Sequence, residues 1–132
     1  MRIFETKLRV RYQETDAMGV VYHSNYLVWF EVARTELLRE IGFSYTKMEE
    51  SGLYLVVVDA SCRYKSPCRY DDLVAVRISL AEVKNTSMVF DYTILVKGKV
   101  AALGRTAHVF TDRSSKPARI PAALKDALTS LA

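Results

Sequence analysis

Cysteine, histidine and proline are scarce in this sequence, at two, two and three residues. Donors for a zinc site are therefore few. Cys62 and Cys68 do not stand at a zinc-ligand spacing, and no His pair accompanies them. In one strand their equal parity would put both on one face, too far apart to bond. Reduced structural thiols, no metal and no cofactor are the expectation. A run of like charge is also missing. Lys and Arg outnumber Asp and Glu by 19 to 15, giving a formal charge of +4, but the basic residues are scattered. A nucleic-acid-binding tail would cluster them, so no nucleic-acid partner is expected. The longest apolar stretches, such as Leu53 to Val58, are far too short to span a bilayer. The first residues alternate charge and contain no apolar core of a secretion signal. A cytoplasmic protein without an integral membrane segment is the expectation.

What is present suits one compact domain over 1–132, since 50% of the 132 residues are hydrophobic. Residues 7–12 alternate polar and apolar, the period of a half-buried strand. A turn-like stretch from Gln13 to Gly19 follows. From about Ser24 to Ile41 the period becomes helical, with Tyr26, Leu27, Phe30, Ala33, Leu37, Leu38 and Ile41 on one stripe. Ser24 or Asn25 suits the N-cap, and Gly42 is placed to end the helix. Its first half, Tyr26 to Phe30, is apolar nearly all round, as in a helix wrapped by a curved sheet. The charges Arg34, Glu36, Arg39 and Glu40 fall in the second half.

After a short polar segment the pattern is β. Leu53 to Val58 reads as a buried strand, with Ser61 to Lys65 continuing it. Leu73 to Val83 and Met88 to Val96 alternate. Lys97-Gly98-Lys99 reads as a tight hairpin, followed by a strand from Val100 to Thr111. Ala122 to Leu131 reads as a short terminal helix. One apolar helix against an antiparallel sheet gives an α+β layer fold.

Chemistry concentrates between Thr15 and Tyr26, where a carboxylate, a glycine, a histidine and a helix start lie close in sequence. A helix start offers unpaired N–H groups at a positive dipole end, a place able to hold an oxyanion. A carboxylate aimed there can act as base or nucleophile. Plainer readings stand beside this one. Asp16 suits an Asx turn, Gly19 a positive φ, and His23 a local hydrogen bond at the helix start. Glu31 is either solvated or, if buried, paired. Trp29 and Phe30 read as core, and His108 as structural.

The residues Arg9-Val10, Thr15-Asp16, Gly19-Val20-Val21-Tyr22 and Tyr26, at their spacing, resemble the signature of the 4-hydroxybenzoyl-CoA thioesterase family. Within it the chain is similar to the bacterial acyl-CoA thioesterases linked to the Tol–Pal operon. Tyr64 to Pro67, Tyr70 to Leu73, Thr106 to His108 and Lys116 to Pro121 extend the likeness over almost the whole chain. The resemblance implies a hotdog fold, in which a curved antiparallel sheet wraps a long central helix. Two such units pair edge to edge into a homodimer, and dimers commonly form homotetramers. It implies a small acyl-CoA or acyl-carrier thioester as substrate. Asp16 is the implied catalytic carboxylate. The His23 amide polarises the thioester carbonyl, and its side chain helps position Asp16 or water. The site falls at the dimer interface, with the segment Arg63 to Arg69 near the pantetheine arm and Gly19, Tyr22, Tyr26, Glu31, Lys65, Ser66 and Pro67 as substrate contacts. A non-catalytic acyl-CoA-binding module and a hotdog dehydratase using His23 and Glu31 remain as alternatives.

Overall fold

The computed structural model describes residues 2–131. Strand β1 (Phe4–Arg9) leads into the helix α1 (Asn25–Glu40) and the short helix α2 (Tyr45–Glu50). Strands β2 (Tyr54–Tyr64), β3 (Leu73–Val83), β4 (Ser87–Val96) and β5 (Lys99–Thr111) follow, then helix α3 (Ala122–Thr129). The strands form one antiparallel sheet in the order β1-β3-β4-β5-β2. The α+β architecture read from the sequence is therefore the one observed.

Alternation produces this sheet. Val74, Val76, Ile78 and Leu80 of β3 are buried, as are Met88, Phe90, Tyr92 and Ile94 of β4. Both rows face Tyr26, Trp29, Phe30, Ala33, Leu37 and Leu38 of α1. Each large side chain removed from water in this way stabilises by roughly 1.5–3 kcal/mol. The curve comes from bulges, which raise local twist. The register skips Val58 in β2, Ala81 in β3 and Ala101 in β5. Lys97 and Gly98 both take positive φ, 51° and 76°, as a primed hairpin turn requires. Gly42, at φ 92°, closes α1: its N–H reaches Arg39 O, and Phe43 N–H reaches Leu38 O.

Two readings need correction. The first strand runs over 4–9, not 7–12. Val10 instead bonds Asp71 and Asp72, and the chain turns into a 3₁₀ turn, Tyr12–Glu14, which leaves Tyr12 exposed. The run Leu53 to Val58 is not buried along its length. Strand β2 is a sheet edge, and Val56, Val57 and Val58 are exposed, Val58 by 59%. Its apolarity serves an edge, where hydrophobic side chains invite another chain.

A polar cluster lies inside the core. Arg34, only 7% exposed, reaches inward from α1 and donates from Nη1 to Tyr92 Oη at 3.2 Å. Tyr92 shares a 2.6 Å hydrogen bond with Thr106, which also meets His108 Nε2 at 2.7 Å. His108 is 1% exposed. Burial, and then the Arg34 charge, push its pKa down to about 3. The neutral imidazole is thus the folded form, so the structural reading of His108 holds. An unfolded chain protonates it near 6.5. The stabilisation is complete above that value and is lost as pH falls from about 6.5 toward 3, by up to about 1.4 kcal/mol per pH unit. His108→Gln should flatten this slope in urea titrations at pH 4 to 7, since the amide can still bond Thr106 without titrating.

Candidate functional site

The chain between β1 and α1 is a loop with two stitched arms. Thr15 pairs with Val21, and Val20 pairs with Arg69. Asp16 N–H donates to Val20 O at 2.8 Å, and Gly19 N–H to Asp16 O at 2.9 Å. Gly19 stands at φ 77°, the conformation that a turn here requires. Met18 N–H donates to Asp16 Oδ1 at 2.8 Å. Asp16 is thus an Asx-turn residue. Only Oδ1 is engaged, and Oδ2 has no partner among the described residues. The turn holds the carboxylate still while leaving one oxygen available.

The other arm delivers the helix start. Tyr22 N–H donates to Glu14 O at 2.8 Å, and Asn25 N–H to Tyr22 O at 3.0 Å. The N-cap residue Ser24 makes no side-chain cap bond. The Asn25 side chain turns away to donate to Glu14 O at 2.9 Å. Among the described residues no hydrogen bond uses the N–H of His23 or Ser24. Those amides sit where the helix dipole is positive.

Asp16 and His23 line one cavity of about 380 Å³ with Met18, Val20, Val21, Tyr26, Tyr64, Lys65, Ser66 and Pro67. Its far wall hangs from the β5 bulge, as Lys65 and Ser66 N–H both donate to Ala101 O, at 2.9 and 3.1 Å. Tyr64 Oη donates to His23 O at 2.9 Å and so ties β2 to the helix start. Burial, then Cys62, pushes the Tyr64 phenol up to about 12, and Tyr26 is raised further by burial and Cys68. Both are neutral walls near neutral pH. The cavity is therefore lined by a carboxylate, by His23 at the helix start and by largely apolar side chains.

The model of the thioesterase-like superfamily matches residues 10–128. The chain belongs to that superfamily. The acyl-CoA thioesterase YbgC of Haemophilus influenzae is 41% identical over 93 residues, 70% of this chain and 68% of that protein. The acyl-CoA thioester hydrolase YbgC of Escherichia coli O6:H1 is 37% identical over 93 residues, covering 70% of this chain and 69% of that one. A DHNA-CoA thioesterase structure from Staphylococcus aureus superposes with TM-score 0.88 at 37% identity, covering 90% of this chain and 81% of that one. The fold is accordingly the hotdog fold of these thioesterases.

Of the site residues read from the thioesterase resemblance, Asp16, His23, Tyr26, Lys65, Ser66 and Pro67 meet at the cavity. Gly19 shapes the turn without lining it. Tyr22 lies outside, its ring 4.4 Å from that of His23. Glu31 is exposed on α1 and does not line the cavity. The His23 ring makes no hydrogen bond to Asp16; it packs between Tyr22 and Tyr64. Met18, Val20 and Val21 are lining that the sequence reading did not single out. Glu14 was also missed. Among the described residues no group of His, Cys, Asp and Glu is arranged to hold a metal. Among the same residues no helix is long and apolar enough to cross a membrane.

Proposed function

We propose that this chain hydrolyses acyl-CoA thioesters to a free acid and CoA, with Asp16 as base or nucleophile. The observation carrying this reading is one cavity lined by an anchored carboxylate with a free oxygen and by His23, whose N–H makes no hydrogen bond among the described residues. The thioester carbonyl oxygen sits at the His23 amide. Asp16 activates a water, or attacks the carbonyl to form a mixed anhydride that water then opens. The amide holds the tetrahedral oxyanion, and CoA thiolate departs. A thiolate leaves without a strong general acid, which suits a cavity whose tyrosines are neutral. Lys65 lines the wall, and its positive charge supports a role in meeting the phosphates of an incoming CoA.

Incubation with a panel of acyl-CoAs and a thiol reagent tests this. Release of free CoA at enzyme-catalysed rates is expected. Saturable binding without thiol release would instead mark a binding module, and water loss a dehydratase. Tyr64→Phe is expected to lower kcat about 5-fold with KM little changed, because one hydrogen bond steadying the His23 peptide is lost. Equal kcat for the two proteins would remove Tyr64 from this role.

The assembly we propose is a homodimer, or a homotetramer made of two such dimers, built on the exposed β2 edge, in the cytoplasm. The exposed Val56 to Val58 on an unpaired edge support it. A monomeric mass by light scattering at micromolar concentration would contradict it.

A further inference from the structure

Glu14 is a carboxylate inside the protein, only 4% exposed, two positions before Asp16. Its Oε1 accepts the Arg11 N–H at 2.8 Å. Its Oε2 accepts the Trp29 indole Nε1–H at 2.9 Å and Arg11 Nη2 at 3.4 Å. Its carbonyl accepts Tyr22 N–H and Asn25 Nδ2, at 2.8 and 2.9 Å. Burial alone would raise the pKa, but the hydrogen bonds from Arg11 and Trp29 hold it below the ordinary carboxylate value. The group is therefore an anion in the folded protein.

These bonds join parts that are distant in the chain. Arg11 ends the approach from β1. Tyr22 closes the returning arm and is followed by the free amide of His23. Asn25 and Trp29 lie on the first and second turns of α1. Asp16 and the His23 amide are the two ends of one loop, and Glu14 holds both arms to the helix. Among the described residues no other charged side chain of the loop hydrogen-bonds a buried side chain of α1: Asp16 accepts from Met18, and Arg11 donates to Glu14.

We infer that Glu14 is a positioning residue for this site: its buried carboxylate, clamped by Arg11 and Trp29, sets the spacing between Asp16 and the helix-start amides. It does not line the cavity and touches no reacting atom. The functional consequence rests on the thioesterase reading above; the geometric one does not.

Glu14→Gln keeps the shape and removes one acceptor. Both carboxylate oxygens face N–H donors, so whichever way the new amide turns, its NH₂ meets a donor. The expected result, well below the variant's Tm, is a kcat on the order of 10²-fold lower, with KM within about twofold. Trp29 is the only tryptophan, so its indole N–H gives one resolved NMR signal, which should move upfield as the anionic acceptor is lost. The backbone amide signals of Asp16 and His23 should shift with it. A kcat within twofold of wild type, with only a lower Tm, overturns the inference. If Glu14→Gln does not fold, Trp29→Phe deletes one donor and keeps a ring in the core. There a kcat about 10-fold lower at unchanged KM supports the inference, and an unchanged kcat overturns it. The two readings can fail separately. A wild-type protein that hydrolyses no acyl-CoA ends the thioesterase reading, yet moved Asp16 and His23 signals in Glu14→Gln still uphold the clamp.

Discussion

Asp16→Asn is expected to lower kcat on acyl-CoA about 10³-fold, with KM, Tm and the circular dichroism spectrum close to wild type. The substitution is chosen because of what Asp16 does locally. Its Oδ1 accepts the Met18 N–H, and an asparagine oxygen can do the same. The turn that presents the group therefore survives, and only the negative charge and the nucleophilic lone pairs are lost. Asp16→Ala would remove the turn bond as well, which costs on the order of 1 kcal/mol locally and mixes folding with chemistry. In the proposed reading substrate is held by the rest of the cavity wall, Tyr26 and Lys65 to Pro67 among it, which the change leaves in place. Hydrolysis in ¹⁸O-labelled water under single-turnover conditions tests for the covalent route. Label in the Asp16 carboxylate means a mixed anhydride opened at its aspartyl carbonyl; label only in the released acid means an activated water, or an anhydride opened at its acyl carbonyl. An Asp16→Asn protein that keeps most of its kcat would remove this residue from the reaction altogether.

The sequence made some of this legible because some features are local. The alternation of β3 and β4, the Lys97-Gly98 turn and the Gly42 stop depend on residues within a few positions of one another. So does the Asp-x-x-Gly turn before α1. Other features depend on distance. Trp29 read correctly as core, but its indole N–H needs an acceptor, and that acceptor stands fifteen positions away in Glu14, inside a polar stretch. No periodicity announces such a pair. Arg34 was nearer to being visible. It stands four positions after Phe30 and three before Leu37, within the apolar stripe, so spacing argued for burial while its charge argued against. Burial won because Tyr92 accepts from it. The Leu53 to Val58 run shows the opposite limit. Composition says that a strand is apolar, not whether its own chain covers it, and here β2 lies at the sheet edge.

Gly104→Ala is expected to destabilise the protein by about 3 kcal/mol, at the upper end for an overpacked core. In most extended positions the sign is reversed, since alanine limits the unfolded chain and gains about 0.4–1 kcal/mol. Space decides the matter here. Gly104 in β5 pairs with Tyr92 on one side and Cys62 on the other. A Cβ built on it lies 3.1 Å from Phe30 Cε1 and closer still to Cε2 and Cζ. The ring has no retreat: it is fully buried and stacked on Tyr92 with centroids 4.3 Å apart. Helix α1 can approach the sheet closely only because this position carries no side chain. Thermal unfolding should show Tm lower by about 10 °C for a domain of this size. Phe30→Leu alone loses core volume, but in the double variant the two costs should not add, leaving a coupling of at least about 1 kcal/mol. Phe30 also lies one helical turn beyond Tyr26, which lines the cavity. A ring pushed off the sheet therefore tilts the helix start that carries the free amides, and the folded fraction of Gly104→Ala should turn over acyl-CoA more slowly per molecule. A variant within about 0.5 kcal/mol of wild type would mean that α1 stands off the sheet further than these contacts place it.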